Sequence, residues 1–545
     1  MAPPPRLDVD GPLALAESSS SSEKLRAHQR PARPSLGLVV PAGLVGLLVL
    51  VPIGATVAEG VSVGWGRATA LLSRPLVGTL LVHTVSLVAA VTAACAVVGT
   101  GAAWCVERTD LPGRRWWAPA LAVPLAVPAF VSSYAWLSLS PGFEGFGGAV
   151  LVVGLSYYPL VYLPVAAALR GMDPALEDAA RALGHGPWRT FARVVLPQLR
   201  PALLGGMLLV SLNVLAEFGA FALLRFSTFT TEIYAEYQAS FSAAGASLLS
   251  LVLLVCCLVL LWAESAARGP ARYARVGPGA RRLASPYGLG RARWPALGGL
   301  GLLLGAGVGV PLATLAFWLT QTSSEATTAT GPSLSSLLGA AGTSVGLGLA
   351  GAALTTILAF PVARLASRHR GVVASLVERS TYLAEALPGI VIALALSFVA
   401  VRVIRPLYES AALLVIAYAI LFLPLAMVAV RASLSQVPPS LEEAARSLGQ
   451  GRAATLRRVV VPLAGPGLGA GGALVFVSVV TELTTTLLLA PIGTRTLATE
   501  VWADTSTLAF AAAAPYATVL VGLSLVATWV LSRRFGAFRG GGAGA

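Results

Sequence analysis

The sequence predicts an all-α polytopic membrane protein with about twelve transmembrane helices, arranged as two homologous six-helix halves. Composition is the first observation, because 56% of the 545 residues are hydrophobic and 11% are charged. Soluble proteins carry about 25% charged residues. The second observation is a series of apolar stretches long enough to cross a membrane. The third is a short polar passage that occurs once in each half of the chain.

Twelve apolar stretches of roughly 20 residues can be read along the chain, the length that carries a helix across about 30 Å of hydrocarbon. The first six lie near residues 37–57, 76–104, 116–140, 147–169, 201–224 and 245–266. The second six lie near residues 294–320, 335–362, 381–401, 411–430, 466–491 and 511–532. Prolines inside several stretches predict kinks or unwound turns. These prolines are Pro124, Pro128, Pro159, Pro164, Pro388 and Pro424.

The polar segments divide the chain into two halves. Residues 1–36 include a serine run and lack the short apolar core of a cleavable signal peptide, so we expect a disordered cytoplasmic tail. The halves occupy 37–267 and 294–533, a basic cytoplasmic linker covers 268–293, and a glycine-rich tail covers 534–545. No segment between spans reaches the roughly 50 residues of a soluble domain. An ATPase or a solute-capturing domain would then be another polypeptide.

Arginine placement predicts the orientation, because basic residues in short loops are retained on the cytoplasmic side. Arginines collect at both ends, around both repeats and in the linker, whereas most of the intervening loops carry acids. Arg402 and Arg405 are the main exception. Both termini and both repeats are therefore predicted to be cytoplasmic. The net charge of +14 follows from this topology, and we expect membrane lipid rather than nucleic acid as a partner.

The repeated passage runs from Glu177 to Gly184 and again from Glu442 to Gly449, with matched spacing to Glu217 and Glu482 further on. Each copy predicts two short helices joined by a glycine in the left-handed conformation, within loops 173–200 and 438–465. Small alanines beside a carboxylate form a compact knob that can enter a groove on a partner. An ordinary amphipathic surface helix is the alternative for a single copy. The matched second copy favours docking.

The passage resembles the motif of permease subunits of importer-type ABC transporters: Glu-Ala-Ala, three residues, Gly, nine residues, then an aliphatic residue, one residue and Leu-Pro. The first copy fits at Asp178, Ala179, Ala180, Gly184, Val194, Leu196 and Pro197. The second copy fits at Glu443, Ala444, Ala445, Gly449, Val459, Val461 and Pro462. Asp178 replaces the usual Glu, and Val461 replaces the usual Leu. The shorter Asp178 side chain would weaken or re-angle the first docking contact.

This resemblance implies a type I ABC importer permease-like fold in a bacterial cytoplasmic (inner) membrane. It implies that the two loops are coupling helices, which dock into two ATP-binding cassette subunits on the cytoplasmic face. Glu177 and Glu442 belong to the same coupling loops. An extracytoplasmic solute-binding protein would deliver the substrate. ATP and Mg would be used by the partner subunits, with no cofactor bound here, and the chain itself has no phosphate-binding loop.

A closer resemblance, from about residue 37 onward, is to the fused two-half permeases of ferric iron importers. The stretches that carry it include 158–162, 216–220, 229–234, 481–483 and 496–502. Related permeases for thiamine, sulfate, polyamines or phosphonates share much of this architecture and remain alternatives. An ion-coupled secondary transporter is the alternative from another class, because it can also have two six-helix halves. It would not need two docking motifs. A membrane-embedded enzyme lacks a visible nucleophile or metal cluster.

Glu217 and Glu482 are candidates for the translocation path, because an ionisable residue inside a span usually has a function. Each lies 16 residues after a proline, about 24 Å along a helix, in the outer part of the membrane. Facing each other, they would attract a cation, and carboxylate oxygen suits ferric iron. The alternative is that each pairs with a nearby polar side chain or lies at the outer interface. The sequence assigns no metal site, and His83 is interpreted as a packed polar residue.

Overall fold

The computed structural model describes residues 35–240, 243–268, 286–321, 332–369 and 371–535. Almost all of the two predicted tails and the first part of the linker lie outside these ranges. The first half contains thirteen helices in the described part of the chain. They are α1 (Leu36–Ser62), α2 (Trp65–Leu72), α3 (Pro75–Arg108), α4 (Arg114–Ala120), α5 (Ala129–Leu139), α6 (Gly145–Tyr157), α7 (Pro159–Gly171), α8 (Ala175–Ala182), α9 (Pro187–Thr190), α10 (Leu196–Ala216), α11 (Gly219–Leu223), α12 (Phe229–Ser240) and α13 (Ala243–Arg268).

The second half repeats this series with thirteen helices over its described residues. They are α14 (Arg293–Leu304), α15 (Val310–Thr320), α16 (Leu334–Arg368), α17 (Val372–Leu383), α18 (Gly389–Arg402), α19 (Ala411–Leu421), α20 (Leu423–Ser435), α21 (Pro439–Ser447), α22 (Arg452–Thr455), α23 (Val461–Val480), α24 (Thr484–Leu489), α25 (Leu497–Ser506) and α26 (Phe510–Phe535). Short π-helical turns join α9 to α10, α14 to α15 and α22 to α23, so each pair forms one continuous span.

The described residues contain nine helices that are long and apolar enough to cross a membrane, and the predicted total of twelve spans is reached when each of three bent helix pairs is counted as one span. The bent pairs are 114–126 with 129–139, 372–386 with 389–402, and 411–421 with 423–435, with bends of 86°, 109° and 58°. Pro128, Pro388 and Pro424 lie at or beside these breaks, as predicted. Proline lacks the backbone N–H that an uninterrupted helix requires, and its ring displaces the preceding turn.

Two predicted spans are shorter than expected at their C-terminal ends. The sequence predicts spans over 201–224 and 466–491, but α10 ends at Ala216 and α23 ends at Val480. In each half the chain then leaves the helix and begins a short helix, α11 or α24. Apolar composition continues through the break, so a search for uninterrupted hydrophobic segments does not detect it.

The two halves share their hydrophobic core. The first span of each half packs on the other half: α1 contacts α16, α17 and α18, and α15 contacts α5. One buried cluster combines Val49 of α1 with Ile390 of α18, and another combines Tyr134 of α5 with Leu520 of α26. Apolar burial does not drive helix association within lipid, so close packing and small residues hold such contacts together. At Gly99 an added Cβ would lie 2.9 Å from the Tyr158 carbonyl oxygen, because α3 and α7 approach closely there.

Candidate functional site: two buried carboxylates beneath the repeated helices

The repeated passage folds as predicted in both halves. Helices α8 and α21 each end before a glycine with a positive φ, +82° at Gly184 and +79° at Gly449. The amide of the next residue turns back to a carbonyl inside the helix, from His185 to Ala180 and from Gln450 to Ala445, both at 3.0 Å. Glycine adopts this left-handed conformation without the Cβ clash that other residues meet. The two predicted glycine turns are confirmed.

Glu177 is buried beneath α8. Its Oε1 lies 2.9 Å from Nη2 of Arg108, the last residue of α3, and the two side chains are 1% and 4% exposed. Its Oε2 lies 3.7 Å from Nη2 of Arg181, one turn further along α8. The Tyr287 hydroxyl lies 3.5 Å from the same Oε2. A buried carboxylate requires such compensation, because its transfer from water is costly. Glu177 therefore fastens α8 to the end of α3.

Glu442 has the same position beneath α21 but different partners. Its two oxygens accept hydrogen bonds from Arg364 Nη2 at 2.8 Å and from Arg368 Nη2 at 2.9 Å. Both arginines lie near the end of α16, and Arg368 also donates to the Val437 carbonyl at 2.6 Å. Charge-assisted hydrogen bonds of this kind are stronger than neutral ones. The second span of each half, α3 or α16, thus holds its repeat through a buried or nearly buried ion pair.

The next residue of each repeat faces outward. Asp178 and Glu443 are exposed, as are Ala179, Ala444 and both terminal glycines, whereas Ala180 and Ala445 are buried. Asp178 pairs only with Arg181 of its own helix, at 3.2 Å, among the described residues. Leu183 and Leu448 are 80% and 81% exposed beside these acids. Each loop therefore presents a carboxylate, small side chains and one leucine on its free surface, while the preceding glutamate is turned inward.

Glu217 and Glu482 lie at the breaks that follow α10 and α23. Each carboxylate accepts a hydrogen bond from the amide three residues later, Ala220 or Thr485, at 2.9 Å. Such bonds satisfy free N–H groups at the start of a helix, here α11 and α24. Each backbone carbonyl accepts a hydroxyl hydrogen bond, from Thr230 at 2.6 Å and from Thr486 at 2.7 Å. The duplicated acids thus share a capping arrangement.

These two breaks lie at the contact between the halves. A Cβ on Gly219 would approach Leu483 of the other half within 2.7 Å and Phe130 within 2.9 Å. Leu483 directly follows Glu482, so the two breaks meet across this contact. The second Glu217 oxygen accepts a 2.5 Å hydrogen bond from the Tyr157 hydroxyl. Tyr157 was not among the predicted site residues; it lies two residues before the predicted kink at Pro159.

His83 and Glu385 are two further ionisable residues within the spans. His83 Nδ1 lies 3.2 Å from the Ser227 carbonyl oxygen, and its ring stacks on Phe226. Glu385 lies in a short 3-10 turn, Ala384–Ala386, at the break before α18. Over the described ranges, no three His, Cys, Asp or Glu side chains are grouped so that they could hold a metal ion. The arrangement binds the two repeats to their spans and places two acids at the central contact.

Comparison with known proteins identifies related sequences. Residues 51–266 and 355–535 match the family described as binding-protein-dependent transport system inner membrane component. The chain is 36% identical to the Fe(3+)-transport system permease protein FbpB 2 of Haemophilus influenzae, over 92% of this chain and 99% of that protein.

Further relatives match a smaller part of the chain. The sulfate transport system permease protein CysT of Escherichia coli is 29% identical over 40% of this chain and 85% of its own length. The molybdenum transport system permease protein ModB of the same species is 35% identical over 22% of this chain and 58% of its own length. The family match covers both halves and more than half of all residues. The chain is a multi-pass member of the binding-protein-dependent transport system inner membrane component family.

Proposed function

We propose that this chain is the fused permease of an ATP-driven importer that takes up ferric iron from an extracytoplasmic binding protein. The observation that carries the proposal is the similarity to an Fe(3+)-transport permease along nearly the whole length of both proteins. The sulfate and molybdenum permeases match 40% and 22% of the chain, no more than one half of it. The alignment with the iron permease therefore covers both halves, and it is much longer than the alignments with the sulfate and molybdenum permeases.

In this proposal, two cytoplasmic ATP-binding subunits dock on the two coupling loops and use ATP and Mg. Asp178 and Glu443 are the exposed contacts, and Glu177 and Glu442 keep their helices on α3 and α16. Closure of the ATPases then moves each loop together with its span, so the halves rock as rigid bodies. The arginine distribution supports a cytoplasmic location for both loops and both termini.

Glu217 and Glu482 are proposed to attract the cation where the two halves meet. Two carboxylates with no cation between them repel each other, and a passing Fe3+ relieves that repulsion. Each acid also caps a short helix, so a test must remove charge and keep the cap. Glu217→Gln and Glu482→Gln retain an amide oxygen that can accept the same backbone N–H.

The Gln variants separate the two roles of these acids. If the acids line the path, the assembled complex loses iron uptake and keeps its amount in the membrane and its ATP hydrolysis. If the acids act only as caps, uptake by the Gln variants stays near the native rate. The corresponding Ala variants then lose membrane yield, because an Ala side chain cannot accept the backbone N–H.

Substrate and energy source are tested by reconstituting the chain with its ATPase and binding protein in vesicles. We expect uptake of labelled ferric iron that requires ATP, with little uptake of labelled sulfate, molybdate, thiamine, phosphonate or polyamine. Uptake of one of those compounds in place of iron would support the function as an ATP-driven permease and contradict iron as the substrate. Transport by the chain alone, driven by an ion gradient, would instead support a secondary transporter.

A further inference from the structure

The end of the linker between the halves lies against the first coupling helix. Residues 286–289 form a short strap beside the turn that follows α3, with an isolated parallel β-bridge between Thr109 and Tyr287. The Tyr287 amide donates to the Arg108 carbonyl at 2.8 Å, and the Asp110 amide donates to the Tyr287 carbonyl at 3.1 Å. The Leu289 amide donates to Asp110 Oδ1 at 2.8 Å. Three hydrogen bonds therefore fix the backbone of the strap to the first half.

The Tyr287 side chain reaches the contact between α8 and α3. The Arg181 guanidinium carbon lies 4.1 Å from the centre of the Tyr287 ring, the geometry of a cation–π contact. The Tyr287 ring also lies beside Trp104 of α3, with the two ring centres 5.4 Å apart. The Tyr287 hydroxyl lies 3.5 Å from Glu177 Oε2. One side chain from the linker thus touches a residue of α3 and two residues of the coupling helix.

The two coupling helices differ at this point. Arg108 and Arg368 are the last residues of α3 and α16, and four residues earlier stand Trp104 and Arg364. Glu442 binds both arginines of its half, whereas Glu177 has a tryptophan where the second arginine would be. In the described part of the second half, no aromatic ring lies over Arg446, the counterpart of Arg181. The first coupling helix therefore has one ion pair to its span where the second has two, and it gains the strap.

We propose that Tyr287 is a positioning residue that seats the first coupling helix and links it to the first span of the second half. After Leu289 the chain makes a short turn at Gly290–Ala292 and enters α14 at Arg293. Only residues 288–292 lie between Tyr287, which contacts the coupling helix, and the start of α14 in the second half. In this proposal the linker connects the first coupling helix mechanically to α14, which a flexible tether would not do. That this helix docks an ATPase rests on the function proposed above; the seating by Tyr287 does not.

Hydrogen exchange tests the seating directly, because amide exchange measures local opening of a helix. The full chain is purified in lipid nanodiscs, and exchange is compared for peptides covering 175–184 and 439–449. In Tyr287→Leu we expect exchange of 175–184 to rise about tenfold, the effect of losing a partly desolvated cation–π contact. Exchange of 439–449, the internal control, stays unchanged. Tyr287→Phe keeps the ring and restores slow exchange.

Three outcomes would overturn the seating proposal. One is native exchange of 175–184 in Tyr287→Leu. Another is equal acceleration of both coupling helices, which would indicate general destabilisation. The third is failure of Tyr287→Phe to restore protection. A protease site inserted between residues 270 and 283 adds a separate test of the tether interpretation. Cutting there leaves the strap attached to α14, so we expect protection of 175–184 to remain.

The functional consequence is measured in the reconstituted complex as iron transported per ATP hydrolysed. Tyr287→Leu is expected to lower this ratio severalfold, and Tyr287→Phe to restore it. Asp178→Ala with Glu443→Ala is run alongside as the test of docking itself. If the double variant uncouples transport and Tyr287→Leu does not, the proposal on Tyr287 fails and the docking proposal stands. If the double variant is also fully coupled, the docking proposal is contradicted. The seating of the helix by Tyr287 is then tested by hydrogen exchange alone.

Discussion

Replacing Glu442 with glutamine should loosen α21. Replacing its neighbour Glu443 with glutamine should leave α21 as stable as in the native chain. Glu442 is largely buried and accepts hydrogen bonds from Arg364 and Arg368 at 2.8 and 2.9 Å. Glu443 is exposed, and the described residues form no ion pair with it. The two glutamates are adjacent in sequence and have opposite surroundings, so each serves as the control for the other.

The magnitude follows from the two charged hydrogen bonds. Each contributes about 1.5–3 kcal/mol, and a glutamine oxygen can still accept from one arginine. Both arginines are 20% exposed and can reach water, which reduces the cost of the unpaired one. We expect Glu442→Gln to lower the free energy of opening α21 by about 2 kcal/mol, roughly a 30-fold increase in the open population.

Hydrogen exchange of the peptide covering 439–449 is the assay, in nanodiscs and without the ATPase. Glu442→Gln should accelerate exchange roughly 30-fold, and Glu443→Gln should change it less than about twofold. The peptide covering 175–184 should be unaffected by either change. Equal acceleration by the two substitutions, or none by Glu442→Gln, would refute the distinction between an anchoring and a docking glutamate.

Three further outcomes can be measured on the purified chain. Gly449→Ala should destabilise α21 by about 1 kcal/mol, since φ is +79°, whereas Gly451→Ala should not; exchange of 439–449 reports both. Gly99→Ala should lower the melting temperature, because its Cβ would lie 2.9 Å from backbone atoms of α7, whereas Gly101→Ala should not. Burial raises the pKa of Asp504 to about 6 from 3.8, so its proton favours the folded state at low pH. This stabilisation is lost as pH rises to 6, and Asp504→Asn should flatten that part of the melting-temperature profile.

Each of these three predictions can fail independently. Similar effects of Gly449→Ala and Gly451→Ala would contradict the requirement for a left-handed residue at the end of α21. Equal melting temperatures of the Gly99→Ala and native chains would contradict the close approach of α3 and α7. A pH profile of Asp504→Asn that parallels the native one between pH 4 and 6 would contradict the raised pKa.

The spans and the turns were readable from sequence because they depend on local composition. Runs of about 20 apolar residues predict helices that cross a membrane. Gly184 and Gly449 predict the left-handed conformation that ends each repeat helix. The two matched copies also predicted that Glu177 and Asp178 correspond to Glu442 and Glu443, without separating the buried acid of each pair from the exposed one. These inferences need only neighbours along the chain.

The partners of the buried carboxylates depend on contacts between distant residues. Glu177 meets Arg108, 69 residues earlier, and Tyr287, 110 residues later. Glu442 meets Arg364, 78 residues earlier. Nothing in the local spacing distinguishes an inward glutamate from the outward acid beside it. The breaks at Glu217 and Glu482 were also missed, since the apolar composition runs through them and only the folded chain shows the change of direction.

Iron uptake by the double variant Asp178→Ala, Glu443→Ala tests the central claim most directly. The complex is reconstituted with its ATPase and binding protein, and labelled ferric iron is supplied outside the vesicles with ATP within. The native complex should accumulate iron, and the double variant should lose uptake while remaining in the membrane with its coupling helices protected from exchange. Undiminished, ATP-dependent uptake by the double variant would contradict the assignment of these two loops as the points where the motor drives the permease.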